Sequence, residues 1–348
     1  MSRRAWFGLL VASLSSCSAP SRSPAAPPAT PGHVRSPKPD PTPDLGPLPL
    51  ALPDLFAEGL AWDAARGRLL VGGIVGQSIA AVSLPAGTVR PFAQPPQAWS
   101  VFGLQLDPER ELLWAACAAV PQGREVPSPV GPAALVAFSL EDGAVVGEHV
   151  LEDGEQHLFG DLVLSPTGTV FVTDTLGGGV YSGTLGTDGL REVVPPKTFR
   201  SVQGVVSVDA ATLIVADYST GLTRIELDEH DAARSTTLLT TPADIDLRGI
   251  DGLALRGRSL AAVQNGARPP RVLRLELSAD ARAVDSAAVL SVPDSRAGEP
   301  TLATFVDGAL WVMQTDLWDR VFDASGRPRN DVSIAPPTVV RIPWVEAV

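Results

Sequence analysis

One unit, a short strand, a tight turn and a second apolar strand, recurs six times along the chain, and few folds can use such a pattern. Residues 58–63 lead to 68–72, 102–107 to 112–116, and 161–166 to 169–174; then 203–209 lead to 212–217, 251–255 to 259–263, and 299–305 to 309–313. Each pair reads as a β-hairpin, because apolar residues alternate with polar ones and the turns carry Gly, Pro and Asp. A third strand follows each pair, at 79–84, 134–138, 179–182, 222–227, 272–277 and 338–342. Fourth strands are fainter, as at 147–151 and 287–291. About 290 residues shared among the units gives about 48 each, the size of a propeller blade. No long stretch shows the 3.6-residue period of a helical solenoid. The sequence therefore predicts an all-β fold, a six-bladed β-propeller.

Composition narrows the function classes. The chain has 348 residues, 45% of them hydrophobic, enough for a sizeable core. A net charge of −12 argues against nucleic acid as a partner, which calls for a concentrated basic face. Two cysteines, Cys17 and Cys117, make neither a disulfide scaffold nor a cysteine-based zinc site. Cys117 sits in an apolar run and reads as a buried, inert thiol.

The N-terminus reads as an address. Arg3 and Arg4 precede an apolar run from Ala5 to Leu14 and small residues up to Cys17, the order of a secretory signal. The run is too short to cross a bilayer, which takes about 20 residues. Leu14-Ser15-Ser16-Cys17 resembles a bacterial lipobox, which implies lipidation of Cys17 and a location in the cell envelope, at the outer membrane or cell surface. Lipid is then the sole link to a membrane, with more than one acyl chain for stable anchoring. Nine prolines among residues 18–44 mark a semi-rigid tether. The organisation expected is thus 1–17 signal with lipobox, 18–45 disordered tether and 46–348 propeller, acting as a monomer. The sixth unit lacks a fourth strand after residue 342, so residues 46–54 are expected to supply it.

Inner strands of a propeller begin at one rim of the central channel, where their first residues converge. Those residues are Glu58, Phe102, Gly160 with Asp161, Gln203, Asp251 and, in the sixth unit, Glu299. Carboxylates crowded there repel one another and shift towards protonation unless a hard cation with oxygen ligands relieves them. The same acids could instead cap strand ends by accepting backbone N–H bonds. The Glu58-Gly59, Ser165-Pro166 turn and Asp251-Gly252 signatures resemble the gluconolactonase and regucalcin superfamily of six-bladed propellers over residues 55–345. That resemblance implies a divalent cation, Ca²⁺, held at Glu58, Gln203 and Asp251. Two positions depart from the family: Gln203 replaces an Asn, and Gly160 replaces the Asn before Asp161.

Proton transfer in such a site falls to Asp161, Asp251 or His157, which lies four residues before Asp161. His157 can equally be a plain loop histidine. A second column, including Asp174 and Asp217, ends the second strands and suits bonds to the following turns. Two function classes follow. One is a metal-dependent hydrolase of lactones or small esters, acting on a small-molecule substrate. The other is a tethered propeller that binds a ligand or a protein partner, with at most a structural metal.

Overall fold

The computed structural model describes residues 47–344 except 53, 128 and 293–297. The expected signal with Cys17, the tether over 18–45, and residue 46 lie outside the described residues. Among the described residues, twenty-four strands, β1 to β24 in chain order, form six antiparallel sheets of four strands each. The innermost strands are β2 (Ala57–Asp63), β6 (Ser100–Asp107), β10 (Phe159–Leu164), β14 (Val202–Asp209), β18 (Gly252–Arg256) and β22 (Glu299–Val306). Each packs beside the next, and β22 packs against β2, so the sheets close into a ring. The expected six-bladed β-propeller is the fold.

Glycine in the blade starts has a steric cause. A Cβ on Gly59 would lie 2.1 Å from the Phe102 carbonyl oxygen, and one on Gly252 would lie 2.5 Å from that of Thr301. Gly103 and Gly204 also face the next blade's backbone, at 2.9 Å from Asp161 Cα and 2.8 Å from Leu253 N. Innermost strands thus meet backbone to backbone around the axis. Five of them also carry a register shift at this point, between residues 57 and 60, 101 and 104, 159 and 162, 202 and 205, and 300 and 303. Such a bulge re-aims the side chain beside it, here into the channel.

Register corrects one sequence expectation. Pro300 pairs with Gln314 just before the bulge, as Ala57 pairs with Gly73, so Glu299 lies two residues short of the channel position. The residue equivalent to Glu58 in the last blade is Thr301, whose carbonyl oxygen faces Gly252 as that of Phe102 faces Gly59. Fourth strands β5 (Thr88–Ala93), β13 (Arg191–Val194) and β17 (Ala233–Leu238) complete their blades. Most of their residues are at least partly exposed, which is why they leave little apolar alternation in the sequence.

The N-terminal segment closes the ring. Strand β1 (Pro47–Pro49) pairs with β24 (Thr338–Pro343) through Pro47 opposite Val340 and Pro49 opposite Thr338. Leu50 N donates to Pro337 O at 2.9 Å, so alternation points Leu48 N inward and turns Pro47 and Pro49, which have no N–H, to the outer edge. Leu50 and Leu52 are buried in a cluster with Leu69, Met313 and Val339, which joins the first and last blades.

Two long connections roof one end of the channel. One, residues 119–132, joins β7 (Leu112–Ala118) to β8 (Ala133–Ser139); the other, residues 316–337, joins β23 (Ala309–Thr315) to β24 and carries helix α1 (Trp318–Val321). The Gln77 amide clamps the first, donating to Glu125 O at 2.7 Å and accepting from Glu125 N at 2.9 Å. Buried Asp316 clamps the second by accepting from Ala335 N and Arg320 Nε, each at 2.7 Å. Beneath them, the Phe56 ring meets Trp318 and Phe322 edge-on at 5.5 and 4.8 Å.

Leu50→Ala would remove a buried side chain from the closure seam. It should cost about 2–5 kcal/mol, read as a lower urea midpoint, as for other buried leucines. An equivalent truncation of exposed Leu238 on an outer strand should change little.

Candidate functional site

Blade starts and roof together enclose a cavity of about 40 Å³ at the axis. Glu58, Asp161, Gln203 and Asp251 all line it, as do Phe102 and Gly160. Four expected channel residues are therefore brought together. The roof and neighbouring strands add Gln122, Leu158, Thr175, Leu302 and Trp318. One water needs about 10–15 Å³ of such space, so the cavity has room for about three.

Each polar group in it is oriented. Gln203 Nε2 donates to Ser201 Oγ at 3.0 Å, which leaves the amide oxygen as the group presented at the cavity wall. That oxygen lies 3.8 Å from where a Gly160 Cβ would stand. The same Cβ would stand 2.6 Å from Thr175 Oγ1, so the threonine hydroxyl occupies the space that a side chain at position 160 would need. Asp251 Oδ2 accepts from Asn265 Nδ2 at 2.6 Å, and Asn265 is itself held by Tyr218 OH at 3.0 Å. No strand pattern announces Asn265; it follows Gln264 at the end of β19 (Ser259–Gln264), and its role emerges only from the fold.

Asp161 combines the two readings of an acid at a blade start. Its Oδ1 accepts from Leu162 N at 2.9 Å and its Oδ2 from Val205 N at 3.2 Å, so it ties its own blade to the next. Burial nevertheless pushes its carboxyl up to about 7, and neighbouring Asp251 adds to the shift against the opposing pull of the two N–H bonds.

His157 lies elsewhere. It is buried, with Nδ1 2.6 Å from Asp174 Oδ2 and Nε2 2.9 Å from Asp153 Oδ1, and it does not line the cavity. Burial alone lowers its pKa, yet the hydrogen bonds to Asp174 and Asp153 carry it above the ordinary value. Both ring nitrogens are thus engaged in holding a loop. Asp174 and Asp217 bind their following turns, accepting from Gly177 N at 2.9 Å and Ser219 N at 2.8 Å. Cys117 is buried, and burial pushes its thiol pKa up, as expected of an inert thiol.

The donors suit a hard cation in kind: carboxylates from Glu58 and Asp251, an amide oxygen from Gln203, and space for water. Among the described residues no three His, Cys, Asp or Glu side chains stand close enough to form a cage by themselves. Any cation here would depend on the Gln203 amide and on water to complete its shell.

Fold and cavity define the molecule as a six-bladed propeller with an acidic, roofed axial site. Solved structures agree on the fold. Regucalcin from Agrobacterium tumefaciens, described as a calcium-binding protein, is 15% identical with a TM-score of 0.58, over 87% of this chain and 98% of that one. A gluconolactonase from Xanthomonas campestris is 15% identical with a TM-score of 0.56, over 87% and 99%. The PQQ-bound aldose sugar dehydrogenase of Streptomyces coelicolor is 15% identical with a TM-score of 0.55, over 85% and 97%. No protein-family model matches the chain, and no curated protein matches it. The chain is a gluconolactonase-like propeller in fold, and proteins of unlike chemistry share that fold.

Asp161 gives a pH signature. The folded chain keeps its proton up to about pH 7, whereas an unfolded aspartate loses it near 3.8. Its contribution to stability is therefore fully present below the unfolded value and is lost as pH rises through the folded one. In chelator-treated protein, Asp161→Asn should flatten the fall of the urea midpoint between about pH 4 and pH 8. Parallel curves for the two proteins would show that Asp161 titrates normally.

Proposed function

We propose that this chain is a metal-dependent hydrolase of lactones or small esters, anchored to the cell envelope through Cys17. The observation that carries the reading is the convergence of Glu58, Asp161, Gln203 and Asp251 in one cavity, with the Asp161 carboxyl raised to about 7. A group poised near neutrality can both take and give a proton. Glu58, Gln203 and Asp251 would hold the divalent cation, and an all-oxygen donor set favours Ca²⁺. When bound, such an ion supplies Lewis-acid polarisation of a carbonyl oxygen. Asn265 fixes the Asp251 carboxylate, and Asp161 serves as the proton acceptor. Phe102, Leu158, Leu302 and Trp318 form an apolar lining that limits the water around the reacting bond. No helix among the described residues is long and apolar enough to cross a membrane. The lipid on Cys17 would be the anchor, and residues 18–45 the tether that lets the monomeric propeller reach its substrate.

One observation favours the binding reading instead. At about 40 Å³ the cavity accommodates a cation with a few waters, and a lactone would enter only if the roof moved. Metal analysis of the purified propeller beside a lactone and arylester screen separates the two. The hydrolase reading expects stoichiometric divalent metal and turnover that chelation abolishes, with both lost in Glu58→Gln. Metal without turnover favours the binding reading, and neither metal nor turnover rejects the hydrolase. For the anchor, Cys17→Ser should move the full chain from the detergent fraction to the soluble one and remove the acyl mass seen by intact mass spectrometry.

A further inference from the structure

A second cleft opens beside the axial cavity, and its charge runs against that of the molecule. Its volume is about 310 Å³, and its walls carry Arg124, Arg327 and Arg329 against one carboxylate, Asp54. The protein as a whole is at −12, so three arginines on one cleft form a local exception. They come from both roof connections: Arg124 from residues 119–132, Arg327 and Arg329 from residues 316–337.

None of the three is consumed by a strong ion pair in the cleft. Arg124 stands 3.9 Å from Asp54, beyond hydrogen-bond reach, with both side chains exposed. The Arg329 Nε donates to Phe322 O at 3.2 Å, which fixes the guanidinium plane and leaves its terminal N–H groups for another acceptor. Among the described residues, the Arg327 guanidinium has no hydrogen-bond or ion-pair partner. Beside them, Val75, Val321 and Ile334 give the cleft an apolar wall. Guanidinium groups bind carboxylate and phosphate through paired N–H donors, and the volume is that of a small-molecule site.

We propose that this cleft binds a small organic acid, its carboxylate or phosphate held by Arg124, Arg327 and Arg329 and its apolar body against Val75, Val321 and Ile334. The cleft shares its walls with the axial site: Gln122 lines the cavity while Gly123 and Arg124, next in the chain, line the cleft. Trp318 likewise lines the cavity, and Val321 at the other end of the same helix lines the cleft. An acid bridging the two connections would hold the roof closed over the cavity. The proposal stands independently of the hydrolase reading.

Calorimetry on the intact chain tests it with benzoate, phenyl phosphate and the neutral benzyl alcohol as probes. Saturable binding of at least one acid, with none of the alcohol, is expected. The tighter acid identifies the headgroup. Arg327→Gln combined with Arg329→Gln should weaken binding at least about tenfold, and added salt should weaken it further, as for exposed charge-assisted contacts. Arg124→Gln, a single exposed change, gives a milder second variant should the double one fold poorly. Glu58→Gln should bind the acid unchanged, which separates this site from the metal reading. Equal binding of benzyl alcohol, no binding of either acid, or wild-type affinity in the arginine variants would overturn the proposal.

Discussion

Everything in this molecule hangs on how closely six strands can approach one axis. At Gly59, Gly103, Gly204 and Gly252 the backbone of one blade meets that of the next with no space for a Cβ. That contact sets the ring diameter, and the diameter sets the channel. Residues one position earlier turn inward, so whatever the sequence places there shares one small volume. Two carboxylates and an amide from those positions, with Asp161 from the third blade's glycine place, meet there as a direct outcome of backbone packing. The same crowding desolvates Asp161, so the steric rule and the electrostatic property have one origin.

Where a blade departs from the glycine rule, the chain compensates with hydrogen bonds. Asp161 stands where other blades have glycine, and its carboxylate reaches across to Val205 N. In the last blade Leu302 takes that place, and the hydroxyl of Thr301 just before it donates to Glu58 O at 3.4 Å. Both hydrogen bonds stitch neighbouring blades at these points. The acid in the third blade therefore serves the ring as well as the cavity.

The readability of this chain follows the same division. Alternating strands with x-Gly starts are periodic and local, so blade number, inner strands and the channel column from Glu58 to Asp251 could be read directly. Thr301-Leu302 lacks the glycine mark, and the eye settles instead on Glu299, two residues out of register. The roof residues Gln122 and Trp318 lie in connections with no period at all, and their place over the axis is a tertiary fact. Asn265 is likewise defined by a partner 14 residues away across a hairpin. His157 shows the opposite error: its nearness in sequence to Asp161 suggested the channel, whereas Asp174 and Asp153 draw its ring into a loop.

Ring closure by β1 sets the order in which the protein can be completed. The first strand among the described residues waits for a partner some 290 residues later, between Thr338 and Val340. Contacts that distant form late and slowly, and until then the sixth sheet has an open edge. During synthesis, β1 is an apolar strand without a mate. Pro47 and Pro49 make that interval safer, since a strand whose outer edge lacks N–H groups is a poor template for another chain. The prolines that look ill suited to a β-strand thus act as chaperoning built into the sequence, guarding the first strand until the last one arrives.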